Sequence, residues 1–210
     1  MMKFRYYAVK LCILMIVLFL IQAIFPLFTD YFILNSNSFK EPWRFISSIF
    51  LHASLIHLIL NLFALFLFGN LLEKFIGGKR FLFVFFFSGI FANLIAVNFY
   101  GASLGASGAI FGVIGALMLI RPMMVVWAFN LPMPIFVAGI LWAAGDILGA
   151  YGFFTNNPIN NTGNIAHLSG LLIGLIFGYF YRKFFREGTK KMNVSLDENQ
   201  VRVWEDRYLR

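Results

Sequence analysis

The chain has 210 residues, 60% of them hydrophobic, 12% charged and 28 of them Phe, too apolar and too poor in charge for an ordinary soluble domain. A net charge of +8 could suit nucleic acid, but most of the Lys and Arg flank apolar blocks, which is the pattern of membrane topology signals, so no nucleic-acid partner is expected. The single cysteine, Cys12, leaves no intramolecular disulfide to form.

Six apolar blocks follow one another, at about 8–28, 46–71, 81–99, 107–120, 133–151 and 165–182, and each reads as a membrane-crossing helix. The first has no small-residue cleavage site and reads as retained, with Cys12 a packed apolar residue inside it. The second carries "HASLIHLILN". There His57 and Asn61, four apart, share one helix face and can donate hydrogen bonds into one cavity, while His52 reads as a structural hydrogen-bonder at the mouth of the span. Breaks fall at Pro26, Gly77-Gly78, Pro122, Pro132, Pro134 and the run "TNNPINNTGN". The expected division is a membrane domain over 1–183 and a basic tail over 184–210. In the tail, Ser195 and Glu198 fit a capping box, followed by Val201, Trp204 and Tyr208 at helical spacing. That pattern suits a short amphipathic helix on the membrane surface or on the protein, or a solvated tail.

Six spans return both ends to one side. Fifteen of the 17 Lys and Arg then share the side of the termini, leaving Lys40 and Arg44 opposite. The excess of positive charge predicts that both termini are cytoplasmic.

The fourth block opens in "GASLGASGAIFG", and no Asp, Glu, Lys or Arg occurs from Asn98 through Ile120. A helix from Ser107 to Ile120 is about 21 Å long, against a hydrocarbon core of about 30 Å. With its far end at the interface beside Arg121, the helix starts below the opposite surface. The chain from Tyr100 to Ala106 then descends as non-helical backbone, tolerated only inside protein or along a wet cavity. Ser107 would stand at a helix N-terminus on the floor of such a cavity, where free N–H groups and the helix dipole favour developing negative charge. Those are the needs of a nucleophile with an oxyanion site. An N-cap serine among packing glycines explains the same string without chemistry.

The sixth block places His167 at a depth comparable to Ser107. Gly170, Gly174 and Gly178 repeat every four residues, as do Gly108 and Gly112 in block four. Small residues so spaced let two membrane helices approach closely, and a Ser-to-His hydrogen bond needs that approach. Phe111, four residues after Ser107, can stack beneath the imidazole. Asp146, the lone acid deep in block five, either orients His167 or is a hydrogen-bonded structural residue. A metal site built from the three histidines is the rival chemistry, but no H-E-x-x-H pair and no neighbouring carboxylate accompanies them.

"GASG" around Ser107, "AHLSGLLIG" from Ala166, "HLILN" from His57, and Trp43-Arg44 together resemble the rhomboid intramembrane serine proteases, in a minimal prokaryotic-type form. Gly69, Glu73 and Gly77 match that family's G-x3-E-x3-G turn, and the likeness runs over about residues 8–183. It implies an all-α membrane protein, a six-helix rhomboid bundle with a short, recessed fourth helix. It further implies Ser107 as nucleophile and His167 as base, with His57, Asn61 and the Ser107 N–H as the oxyanion hole. Gly105, Gly108, Gly170 and Phe111 would pack the site, and Trp43, Arg44, His52, Glu73 and Asp146 would be structural. The implied partners are single- or multi-span membrane proteins, cut near the outer end of a transmembrane segment, and membrane lipid; no cofactor or metal is implied. Phe111 departs from relatives that carry Tyr there, and the large soluble N-terminal domain of some relatives is absent. A catalytically silent binder of transmembrane helices and a small transporter are the alternatives. Intact Ser107 and His167 oppose the first, and the lack of paired inverted halves opposes the second.

Overall fold

The computed structural model describes residues 5–155, 163–190 and 198–208. Five helices are long and apolar enough to cross a membrane: α1 (Tyr7–Ile24), α2 (Leu55–Ile76), α3 (Gly78–Ala96), α5 (Ile135–Phe154) and α6 (Asn164–Lys190, apolar as far as Arg182). Between the third and fifth stands the shorter α4 (Ser107–Ile120). The six-helix plan is therefore the observed one. Two small antiparallel strand pairs add to it, the long-range pair β1 (Leu34–Asn35) with β2 (Ala102–Ser103), and the hairpin of β3 (Val125–Ala128) with β4 (Leu131–Pro134).

α4 is the enclosed element. Every residue from Gly108 to Ile120 is buried except Phe111 and Leu119. Glycine makes this possible, because a Cβ on Gly170 or Gly174 would run into the carbonyl of Gly108 or Gly112, and one on Gly178 would lie 2.7 Å from the Ala116 carbonyl oxygen. α4 and α6 thus touch backbone to backbone. α1 is peripheral by contrast. It buries only the stripe Ala8, Leu11, Cys12 and Met15, and leaves Ile13, Leu14, Ile16 and Val17 exposed.

The G-x3-E-x3-G turn is the joint between α1 and the α2–α3 corner. A Cβ on Gly69 would lie 2.9 Å from that of Ala8. The Glu73 carboxylate accepts the N–H groups of Arg5 (2.8 Å) and Ala8 (3.2 Å) at the otherwise uncapped start of α1. Gly77 breaks the helix at φ 83°, a conformation that suits glycine.

Block two needs correcting. α2 starts at Leu55, not near residue 46, and continues to Ile76. Residues Arg44–Ser47 and Ser48–Phe50 form short helical turns of a loop folded against the body. Its apolar residues read as membrane-spanning, but polar side chains hold it to the body: its own Arg44 Nη1 donates to the Asp30 (2.7 Å) and Ile33 (2.9 Å) carbonyls, and Asn93 Nδ2 donates to the Phe45 carbonyl (2.8 Å). Arg44 also pairs with Glu41, and Trp43 Nε1 reaches the Tyr31 carbonyl at 3.3 Å. Ser54 caps α2 by accepting the His57 N–H at 3.1 Å. Block one is likewise shorter, ending at Ile24 before a separate helix, Pro26–Phe32, because proline suits a first helical position.

In the tail, α7 spans Glu198–Tyr208, with the Trp204 and Tyr208 rings 5.7 Å apart. The proposed cap, Ser195, lies outside the described residues.

Candidate active site

Backbone geometry sets the floor of the site. Gly105 has φ +125°, a region open in practice to glycine alone, and its N–H donates to the Ser48 carbonyl at 2.9 Å. A Cβ there would meet the His57 ring, 2.7 Å from Cε1 and 2.9 Å from Nε2. One residue later α4 begins, with Ala106 as N-cap and no side-chain cap. Ser107 is therefore the first helical residue and not the cap, and its hydroxyl is free for another partner.

That partner is on α6. Ser107 Oγ lies 2.8 Å from His167 Nε2, and His167 Nδ1 lies 3.0 Å from Asp146 Oδ1 on α5. A carboxylate facing Nδ1 can only accept, so the proton is assigned to Nδ1 and the Nε2 lone pair faces the serine. The Phe111 ring stacks on the imidazole, 4.4 Å between centroids and 7° from parallel. His167 is thus held from its edge by Asp146 and from its face by Phe111. Asp146 is buried, with its carboxylate against His167.

α2 supplies the opposite wall. His57 Nδ1 is at 3.5 Å from the Ala53 N–H, a long contact that makes Nδ1 the acceptor and Nε2 the protonated nitrogen. The expectation for Asn61 is only partly met in geometry. It lines the cavity, but one of its amide N–H groups is used within α2, donating to the His57 carbonyl at 2.8 Å. His52 is not on α2. Its backbone exchanges hydrogen bonds with the Gln22 side chain (3.0 and 3.3 Å), and its 2% exposed ring meets the His57 ring edge-on at 5.1 Å. The hydrogen bonds to Gln22 are made by the His52 main chain, and among the described residues its ring nitrogens meet no partner at good hydrogen-bond geometry. Burial, and then His57 beside it, push its pKa down to about 4, which keeps His52 uncharged near neutral pH.

Ser107, Phe111, His167, His57 and Asn61 line a half-open cavity of about 950 Å³ between α2, α3, α4, α5 and α6. Its wall includes residues that sequence reasoning passed over: Tyr100, Asn93, Phe68 and Trp142. The Tyr100 hydroxyl accepts the Ile165 N–H at 3.1 Å at the start of α6, and burial raises its pKa. Asn93 at least carried a signal, as an amide in an otherwise apolar block. Among the described residues no group of three or more His, Cys, Asp or Glu gathers as a metal site. The site thus gathers a hydroxyl in contact with an imidazole nitrogen and N–H donors at a helix N-terminus, the groups that nucleophilic chemistry needs.

Gly105→Ala tests the floor. The added methyl would displace His57, so whatever turnover the site supports should fall about 10-fold or more, the scale of a partly lost hydrogen-bond donor to developing charge. Turnover equal to the parent would contradict the assignment of His57 to this wall.

Residues 40–184 match the family model of the Rhomboid domain. The chain is 31% identical over 150 residues to the Rhomboid protease GlpG of Yersinia pseudotuberculosis and, equally, to that of Yersinia pestis, alignments covering 70% of this chain and 50% of theirs. It is 30% identical over 164 residues to Rhomboid-like protein 11, chloroplastic, of Arabidopsis thaliana, covering 70% and 55%. The chain spans about half the length of the curated relatives it matches. With its apolar helices and its domain match, this chain is an integral, multi-pass membrane protein belonging to the rhomboid family.

Proposed function

We propose that the protein is an intramembrane serine endopeptidase that cleaves transmembrane segments of other membrane proteins. The observation that carries this reading is the 2.8 Å contact between Ser107 Oγ and His167 Nε2 at the wall of an open cavity. Ser107 Oγ attacks a peptide carbonyl carbon while His167 Nε2 takes its proton. Negative charge on the carbonyl oxygen is met by the Ser107 N–H, His57 Nε2–H and the second Asn61 amide hydrogen. Collapse breaks the C–N bond, and His167 returns the proton to the leaving amine. Water then attacks the acyl ester, with His167 again as base, and frees Ser107. Asp146 holds the imidazole in the useful tautomer and balances its transient positive charge.

The Lys and Arg distribution supports cytoplasmic termini and a cavity that opens to the other face. In that orientation the cut falls near the outer end of a substrate helix. A helix keeps its carbonyls in i→i−4 bonds, so Gly or Pro near that end should favour cleavage by easing local unwinding. Residues 1–183 carry the chemistry and 184–210 form a cytoplasmic tail.

The test is to reconstitute the protein in vesicles with a tagged single-span substrate and locate the cut by mass spectrometry. A cut near one end of the span, improved by helix breakers, is expected. Cuts at mid-membrane would overturn the outer-face reading, and no cut would overturn the function.

Asp146→Asn keeps an acceptor for Nδ1–H but removes the charge. The expected result is a kcat about 10- to 100-fold lower with KM nearly unchanged, the scale of one hydrogen bond to a charged group. An unchanged kcat would return Asp146 to a purely structural role.

A further inference from the structure

The hairpin between α4 and α5 is apolar on both of its faces. From Pro122 to Gly145 the chain has no charged residue and a single amide, Asn130. Val126 and Ala128 of β3 are buried, while Val125 and Trp127, which alternate with them, are exposed, as are Leu131 and Pro132 of β4. A sheet with one face in water alternates apolar-in with polar-out. This one does not.

The depth of the hairpin follows from its turn, Phe129 at φ 53° and Asn130 at φ 62°, which closes the Ala128↔Leu131 pair. The Phe129 ring packs on Trp142 of α5 at 6.0 Å between centroids. Trp142 lies about 10 Å into α5 from Ile135, and four strand residues rise about 13 Å. The two lengths agree, so the hairpin folds back along α5 and shares the depth of its first two turns. α5 is itself long and apolar enough to cross a membrane.

The backbone of β4 fits that medium. The Ile135 N–H donates to the Met124 carbonyl at 2.8 Å, which makes 124 and 135 a bonded pair. Bonded and non-bonded pairs alternate along an antiparallel ladder, so Val125↔Pro134 and Trp127↔Pro132 are non-bonded pairs. At those positions the backbone nitrogen points away from the partner strand, and on β4 both residues are prolines, which carry no N–H. The outer edge of β4 therefore presents no donor at either position. An unpaired N–H there would be costly in hydrocarbon, which offers it no acceptor. The β3 edge keeps the N–H groups of Val125 and Trp127, so β4 is the strand fitted to face lipid.

We propose that this hairpin is a membrane-embedded element, seated in the leaflet on the Arg121 side with Trp127 and the β4 edge against lipid acyl chains. The occupant is lipid hydrocarbon because the exposed Ile140 and Leu141 of α5 continue the same apolar surface. The prolines also block strand-to-strand pairing with a second copy of the chain. The proposal does not rest on the proteolytic reading.

The test places an environment-sensitive fluorophore on Trp127→Cys in a Cys12→Ala background, which removes the one native thiol. The protein is reconstituted in phosphatidylcholine vesicles carrying a mid-chain nitroxide, with iodide on both sides as the aqueous quencher. Leu20→Cys, on the exposed face of α1, is the lipid reference, and Lys79→Cys, exposed at the start of α3, is the aqueous one. Nitroxide should quench the label at position 127 within about twofold of that at 20, and iodide about 5-fold less than that at 79, since hydrocarbon holds no water. Leu131→Cys, exposed on the partner strand, should behave alike, which covers the case of a local misfold at 127. Iodide quenching equal to that at 79 would put the hairpin in water and overturn the proposal. Shielding from both quenchers would also overturn it, by placing a second copy of the chain over this face.

Discussion

Replacing Ser107 with Ala should remove cleavage almost entirely, as should His167→Ala, and the double variant should be no slower than either. In the proposed mechanism the two residues act as a unit, the base being useless without the hydroxyl it deprotonates. Losses should therefore not multiply. A fall of roughly 10³-fold or more in kcat is expected for each single variant. His167 also shares its other nitrogen with Asp146 at 3.0 Å and its face with Phe111, so His167→Ala removes the group that both neighbours position. Single-turnover cleavage of a fluorescent single-span substrate measures this. Multiplicative losses would mean that the two groups work in separate steps.

His57→Ala should cost about 10²–10³ in kcat, the usual consequence of losing one oxyanion donor. Asn61→Ala should cost less, because one of its amide hydrogens is already bonded to the His57 carbonyl. It will nevertheless disturb His57 through that bond. The separation to look for is in kcat with KM unchanged, since these donors meet charge present only in the transition state. A loss confined to KM would make them substrate-binding groups.

Much of this site was legible in one dimension because glycine spacing encodes helix contact. Gly108 and Gly112 on one helix, and Gly170, Gly174 and Gly178 on the other, mark faces that meet backbone to backbone. Ser107 and His167 stand at the same end of both. Asp146 stayed ambiguous for the converse reason. At this spacing α5 carries only the pair Gly145 and Gly149, of which Gly149 faces the Asn164 side chain of α6 and Gly145 faces open space, so the spacing alone does not set its rotation. The start of α2 was misplaced because hydropathy does not distinguish a lipid-spanning segment from a loop buried in protein. Here the difference is made by Ser48 and Asn93, which bond the loop's backbone, and by the Arg44 side chain, which ties the loop to the Asp30 and Ile33 carbonyls. The hairpin was missed because Phe-Asn is a poor sequence signal for a turn that usually carries Asn-Gly. Only the Trp142 contact explains Phe129 there.

Active-site labelling tests the central claim most directly. The intact protein in vesicles is treated with a fluorophosphonate, digested, and the modified residue located by mass spectrometry. The account predicts a single adduct on Ser107, absent from Ser107→Ala and nearly absent from His167→Ala, with cleavage lost in proportion to labelling. An adduct on another residue, or full cleavage by protein whose Ser107 is blocked, would contradict it.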